Sequence, residues 1–253
     1  MVGAWASENG LALGQVRVDD KSNEITAIPE LLEALDVSDC TVTIDAMGCQ
    51  TNIAETILDK GGDYLLALKE NHPFLYEDVE LLFDDLEASG MSAYSYRDAT
   101  DVDKGHGRFE VRKAWKIDDA GLLSALRTTD KWPNLSAVVK IQAERYSEDE
   151  SSINSRYYLS SSSANASDLL QMTRAHWSIE NSLHWVLDIA FREDESRLRK
   201  DNGAENFAII RRIALNLLKQ ETTAKIGVRN KRLKAGWDHK YLMRVLAPIL
   251  SPT

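Results

Sequence analysis

The sequence predicts an α/β fold with parallel strand pairing, and three features of its first third lead there. A β-branched run at 40–45 and a strand-like run at 64–68 alternate with helical patterns at 52–60 and 73–86. That strand, helix, strand, helix spacing suits crossover connections rather than hairpins. The helix at 52–60 closes on Gly61-Gly62, a common stop because glycine takes the left-handed conformation freely. The run at 40–45 ends in Asp45, and open α/β sheets place functional groups at the carboxyl ends of their strands. Taken alone, Asp45 is equally a cap for the helix that follows.

Ahead of this pattern, residues 2–7 and 11–18 alternate well enough to be two strands. Asn9-Gly10 between them is a short-hairpin signal, since both residues tolerate positive φ. Asp19-Asp20-Lys21-Ser22-Asn23-Glu24 is a polar connection to a helix running through Leu35, with Pro29 expected in its first turn. Beyond residue 92 the pattern changes. Strand-like runs at 108–116, 137–145 and 156–160, joined by polar loops, read as a mainly β insertion over about 90–162. Within it, alternation places Arg108, Glu110 and Arg112 on one strand face. Such a face either grips a phosphate through its arginines or is a surface ion pair of small weight. The Ser-rich 160–163 is a loop, and Ser167 and Asp168 are candidate caps for the next helix.

That helix, spanning 174–195, organises the second half of the chain. Ile179, Leu183, Val186 and Leu187 form its core-facing stripe. Glu180, His184 and Asp188 follow at steps of four, which on a regular α-helix stacks them on one face. Two carboxylates and an imidazole there suit a divalent cation, although on spacing alone a solvated face rimmed by Trp177 and Trp185 is the commoner arrangement. Downstream, 208–220 is amphipathic, and 225–244 is a basic tail carrying Trp237 and Tyr241.

With 253 residues, 43% of them hydrophobic, the chain can bury a sizeable core in one large domain or two small ones. No apolar run is long enough to cross a bilayer, and no signal peptide is visible at the N-terminus. Cys40 and Cys49 sit at opposite ends of a predicted strand, which disfavours a disulfide and suits a reducing cytoplasm. The net charge of −10 argues against indiscriminate coating of nucleic acid. Its distribution is uneven: residues 192–253 hold 14 Lys and Arg against 7 Asp and Glu, whereas residues 1–191 hold 16 against 33. A basic C-terminal third on an acidic body is either a localised anion-binding face or a helical bundle with ordinary solvated lysines. The chain contains no internal repeat, P-loop, dinucleotide fingerprint or zinc-ligand spacing.

Seven segments in order carry a resemblance: KSNEITAIPELL, TIDAMGCQ, DYLLALKENH, GHGRFEVR, RAHWSIENSLHWVLDIAFREDESRLRK, NFAIIRRIALNLLK and KRLKAGWDHKYL. Together they resemble bacterial insertion-sequence transposases of the DDE type, in the group of the H-repeat-associated proteins. The resemblance covers nearly the whole chain. It implies an RNase H-like core at about 1–88 and 164–220, a β-rich insertion at about 90–162, and a helical basic C-terminus at 221–253. Carried over residue by residue, Asp45 corresponds to the second catalytic carboxylate and Glu180 to the third, with His184 and Asp188 as further candidate metal ligands. The family's first Asp lies in an Asp-Gly-Lys segment on an upstream strand. Nothing in this chain matches it, since Asp19-Asp20-Lys21 belongs to the KSNEI segment. The core is therefore expected to lack its first strand, to expose unpaired backbone there, and to be marginally soluble. The wider insertion-sequence pattern of Tyr, Arg, Glu and Lys on this helix is met only at Glu180; Thr173, His176 and Leu187 hold the other places.

What the resemblance implies for function is DNA strand cleavage and transfer, DNA transposition, by two-metal phosphoryl transfer with Mg²⁺ or Mn²⁺. The residues expected to meet DNA are His106, Arg108, Arg112, Arg174, Arg229, Lys231, Arg232 and Lys234. The expected partners are insertion-sequence ends and target DNA, with a homo-oligomer assembled on the DNA in the cytoplasm, at the nucleoid. With the first of three carboxylates missing, the chain is expected to be impaired in cleavage. Two readings compete: a non-catalytic DNA-binding remnant that occupies element ends or pairs with intact transposase, and a stand-alone nuclease built on Glu180, His184 and Asp188.

Overall fold

A six-stranded mixed sheet and a two-stranded hairpin carry all the strands among the described residues. The structure, a computed structural model, describes residues 1–18, 23–89, 97–105, 108–147 and 151–250, with the backbone alone at 97, 104, 105 and 108. The chain forms two compact units, one of residues 20–176 and one of residues 1–19 with 177–253.

In the first unit, α1 (Glu24–Glu33) is started by Asn23, whose side chain accepts from the Thr26 amide. The expected start near Pro29 is therefore corrected: the cap sits earlier, and Pro29 falls inside the helix at the loss of one backbone hydrogen bond. Next come β3 (Thr41–Ile44), α2 (Thr51–Asp59), β4 (Asp63–Leu68) and α3 (Pro73–Ala88). The strands β3 and β4 pair in parallel, Thr41 beside Asp63 through Ile44 beside Leu66, as the alternation predicts. Proline at the first position of α3 leaves no hydrogen bond unmade, because that N–H has no intrahelical partner.

The β-rich segment continues the same sheet. It comprises β5 (Arg97–Gly105), β6 (Arg108–Ile117), the short α4 (Ala120–Ala125), β7 (Ala137–Tyr146) and β8 (Ser151–Ser160). The strand order is β3-β4-β8-β7-β6-β5, antiparallel from β4 onward. Sequence patterning misses β5, because its Asp98, Asp101 and Asp103 are poor strand formers. Backbone pairing along the whole of β6 supplies what propensity does not.

Successive side chains of β4 and β8 point to opposite faces, so each strand contributes to two layers. Leu65 and Tyr158 pack with Val139 and with Leu169 and Leu170 of α5 (Ala166–Ile179). On the other face, Tyr157 meets Tyr76 edge-on and stacks on Phe83, both from α3. The cap of α5 is Asn165, whose side chain accepts from the Asp168 amide. Ser167 and Asp168, expected as caps, lie one and two residues inside the helix.

In the second unit, β1 (Val2–Ala6) and β2 (Leu11–Val16) pair antiparallel. The loop between them is four residues rather than the Asn-Gly pair alone, and Gly10 takes the left-handed conformation at φ +63°. The helical stretch predicted to reach residue 195 continues α5 through a π-turn at Glu180–His184 into α6 (Trp185–Phe191). It stops there because Arg192 turns left-handed. Leu183, Leu187, Leu215 and Ala12 form one buried cluster, with Ile179 and Val186 beside it, so the predicted stripe does face a core.

Three further helices follow: α7 (Gly203–Gln220), α8 (Val228–Trp237) and α9 (His239–Leu250). The Asn216 amide acts as a surrogate strand for the hairpin. Its Nδ2 donates to Ala12 O at 2.8 Å while its Oδ1 accepts from Ala12 N at 2.9 Å. Asn216→Ala is expected to cost about 1–2 kcal/mol, because it orphans two backbone groups. Amide exchange at Ala12 should speed up roughly tenfold, whereas no local change would show that the pair is dispensable.

Candidate functional site

Asp45 follows β3 directly, at the carboxyl end of the parallel pair. Its φ of −70° and ψ of 178° make it the N-cap of a single 3₁₀ turn, Ala46–Gly48, and its Oδ1 accepts from the Met47 amide at 3.2 Å. The cap reading is thus correct for this turn, while the helix α2 is capped by Gln50 without a side-chain bond. Capping uses one oxygen of an exposed carboxylate and leaves the rest of its acceptor capacity toward solvent.

The turn itself is held from the end of β4. Asn71 donates through Nδ2 to Ala46 O at 2.9 Å, and the His72 ring nitrogen Nε2 lies 2.6 Å from Cys49 O. His72 also meets Trp132 edge-on at 5.3 Å. Neither residue stands out as a site residue in the sequence, although both belong to the DYLLALKENH segment. Beneath the turn, a Cβ on Gly48 would sit 2.3 Å from Ile44 Cγ2, so only glycine admits this close approach. Cys40 and Cys49 are free thiols, and burial pushes the Cys49 thiol up to about 12, which makes it inert.

Glu180 is exposed and begins the π-turn, whose closing bond runs from the Trp185 N–H to Glu180 O. This i→i+5 bond spreads five residues over a turn that a regular helix makes with fewer. The regular α-helical spacing from which the stack is expected therefore does not hold between Glu180 and His184. The expectation of an unbroken α-helix through 180–184 is corrected on that ground. Within neither unit do the described residues bring three His, Cys, Asp or Glu side chains together as a metal-binding group.

The basic residues separate into two kinds. Arg112 Nη2 lies 2.6 Å from Glu110 Oε2, and Arg145 joins the same carboxylate, so the shared strand face is an ion-pair cluster. Arg174 pairs with Asp101 and with Asp103, tying α5 to β5. Lys231 is a correction to the set expected on DNA. It is 8% exposed, and its Nζ donates to Leu218 O at 3.0 Å and to Glu221 O, the last carbonyls of α7. An ammonium spent on orphan carbonyls inside the fold is not available to a phosphate. Arg229 and Arg232 on α8 are exposed. The Arg232 guanidinium lies 5.5 Å over the Phe191 ring, and Lys234 Nζ lies 4.5 Å over the Tyr241 ring. His106 lies outside the described residues, and at Arg108 only the backbone is described, in β6.

Residues 1–217 match the family described as "Transposase DDE domain". Over 253 residues the chain is 40% identical to the "Putative protein YbfL" of Escherichia coli (strain K12), covering 98% of this chain and 65% of that protein. It is equally similar, at 40% and with the same coverage, to the "H repeat-associated putative transposase YhhI" of the same strain. The "Putative transposase YncI" of Escherichia coli O157:H7 is 42% identical over 250 residues, covering 98% of this chain and 63% of that protein. The chain thus spans 63% to 65% of the length of these curated relatives. No helix among the described residues is long and apolar enough to cross a membrane.

Proposed function

This chain belongs to the DDE transposase family, and we propose that it contributes to DNA strand cleavage and transfer, with Asp45 and Glu180 as two of the carboxylates that hold divalent metal. The observation that carries this reading is a family match that includes both residues, joined to an Asp45 exposed at the end of a parallel strand. Both are solvent-facing carboxylates, hard oxygen donors of the kind Mg²⁺ and Mn²⁺ take, so their donor chemistry fits the ion. When bound, such ions supply positive charge to a phosphate undergoing in-line displacement, as in two-metal sites generally. The chain's own contribution is to orient the donors. The Met47 amide fixes one oxygen of Asp45, and Asn71 and His72 hold the turn that presents it.

Substrate grip falls to the C-terminal third, where Arg229, Arg232 and Lys234 are proposed to meet the DNA backbone, with His106 and Arg108 from the β-rich segment. Phosphate contacts of this kind position DNA without reading its sequence. The reading extends to a homo-oligomer on insertion-sequence ends and to a cytoplasmic, nucleoid-bound location. Taken by themselves, these 253 residues carry two of the three carboxylates the resemblance implies, so they should cut slowly or not at all. The second reading is binding of element ends without cleavage. The stand-alone nuclease on Glu180, His184 and Asp188 has less support, since the described residues bring no three such side chains together as a metal-binding group.

Two assays decide between these. Binding to a duplex should weaken steeply with salt, and Arg229→Ala or Arg232→Ala should each flatten the slope of log K against log salt by about 1. A slope that neither variant changes would remove α8 from the interface. In a Mg²⁺- or Mn²⁺-dependent strand-cleavage assay the chain should be nearly silent. Robust cutting abolished by Asp45→Ala would overturn the expectation of impairment while supporting Asp45 as a metal-holding carboxylate.

A further inference from the structure

The π-turn that carries Glu180 has a half-buried cation against it. Lys219, in the last turn of α7, donates through Nζ to Ser182 O at 3.0 Å and to Gly10 O at 3.2 Å. The same Nζ lies 4.2 Å from the centroid of the Trp5 ring. One ammonium thus joins the middle of the π-turn, the β1–β2 loop and an aromatic face. Trp5 packs with Leu183 and Leu187, so the ring beneath the cation belongs to the cluster that anchors the turn. All of these residues lie in one unit.

A π-turn is one residue too many for an α-helix, and such turns are rare without something to hold them. Expelling the extra residue would turn the helix on the Glu180 side by about 100° relative to α6. The direction of Glu180 therefore depends on what keeps the turn open. We propose that Lys219 is a positioning residue that holds the π-turn open and so aims Glu180, an inference whose functional half rests on the reading of Glu180 given above. A lysine suits the task because its three donors satisfy two carbonyls at once while its charge faces the ring. Partial burial supports the assignment by pushing the Lys219 amine below its usual range: the group is partly withdrawn from water and leans on these partners.

The test compares the chain with Lys219→Met and Lys219→Arg by residue-resolved amide exchange and by Mn²⁺-induced relaxation. Lys219→Met should speed exchange across 181–186 at least tenfold while amides of α8 and α9 stay within about twofold, and should halve or abolish the Mn²⁺ effect around Glu180. Lys219→Arg, which keeps charge and donors, should restore both. If Lys219→Met unfolds the unit, Lys219→Gln takes its place, with a smaller rise still confined to 181–186. Unchanged exchange at 181–186, or a uniform rise through α7, α8 and α9, overturns the proposal. Failure of the functional reading looks different: Glu180→Gln would leave Mn²⁺ relaxation untouched in a protein whose π-turn exchanges as before.

Discussion

Glu221→Ala is expected to destabilise the unit formed by 1–19 and 177–253 by about 3 kcal/mol, because it empties a buried carboxylate site surrounded by donors. Glu221 is 7% exposed and follows the end of α7. Its Oε1 accepts from the Thr223 hydroxyl and from the Thr223 amide at 2.9 Å, while its Oε2 accepts from the Tyr241 hydroxyl at 2.7 Å and from the Ala224 amide at 3.4 Å. Lys231 closes the same corner through the carbonyls of Leu218 and Glu221. The corner is what joins α8 and α9 to α7, above the apolar cluster of Leu217, Leu218, Tyr241 and Val245. Removing the carboxylate leaves the Tyr241 hydroxyl and two amides without their acceptor.

The charge of Glu221 gives the prediction a pH signature. The Thr223 hydroxyl, with Tyr241 and the two amides, outweighs burial and holds the carboxyl down to about 2, from an ordinary value of 4.5. A depressed carboxylate contributes its stability above the unfolded value and loses it as pH falls toward the folded one. The contribution should therefore be complete above about pH 4.5 and fade between there and about pH 2. Exchange protection in α8 and α9, followed through that window, should decline in the native chain and stay flat at a lower level in Glu221→Gln. A native profile that is flat down to pH 2 would show that the site is not ionised.

Gly62→Ala should be about as damaging to the other unit, at about 3 kcal/mol, for a steric reason. A Cβ there would lie 2.7 Å from Val37 O, 3.2 Å from Cys40 O and 3.3 Å from Ile57 Cγ2. The first two are backbone atoms, and the contact cannot be relieved by a side-chain rotation. Gly62 N also donates to Ile57 O at 3.1 Å, and Asp63 N to Cys40 O at 2.8 Å, so the strand entries of β3 and β4 are stitched together at this point. Neighbouring Gly61 is the control. It is left-handed at φ +74°, but its nearest contacts would be 3.8 Å and 3.9 Å away, at Ser38. Gly61→Ala should cost about 1 kcal/mol of backbone strain and no more. Equal losses for the two variants in denaturant melts would mean that close packing is not the reason for Gly62.

These two sites mark where reading the chain stops. Gly61-Gly62 is visible as a helix stop, and Gly61 behaves as one, but the tightness around Gly62 comes from Val37 and Cys40, some twenty residues away. Lys231 is one basic residue among several in a basic stretch, and nothing local distinguishes it from Arg229 or Arg232. Its burial depends on the end of α7 arriving above it.

By itself the sequence determined the alternation of β3, α2, β4 and α3, the parallel pair, the apolar stripe of Leu183 and Leu187, and the family to which all of them belong. Each is written in residues two to four apart, or in ordered segments that survive as text. Tertiary structure alone decided the strand β5, the π-turn under Glu180, the ion pairs of Arg112 and Arg174, the carbonyl-bound amine of Lys219 and the buried amine of Lys231. Every one of these except the Arg112 pair answers to partners outside its own element, as far apart as Gly10 and Lys219. Local periodicity carries hydrophobic burial, whereas the fate of a charge or a carbonyl depends on which distant group the packing delivers to it.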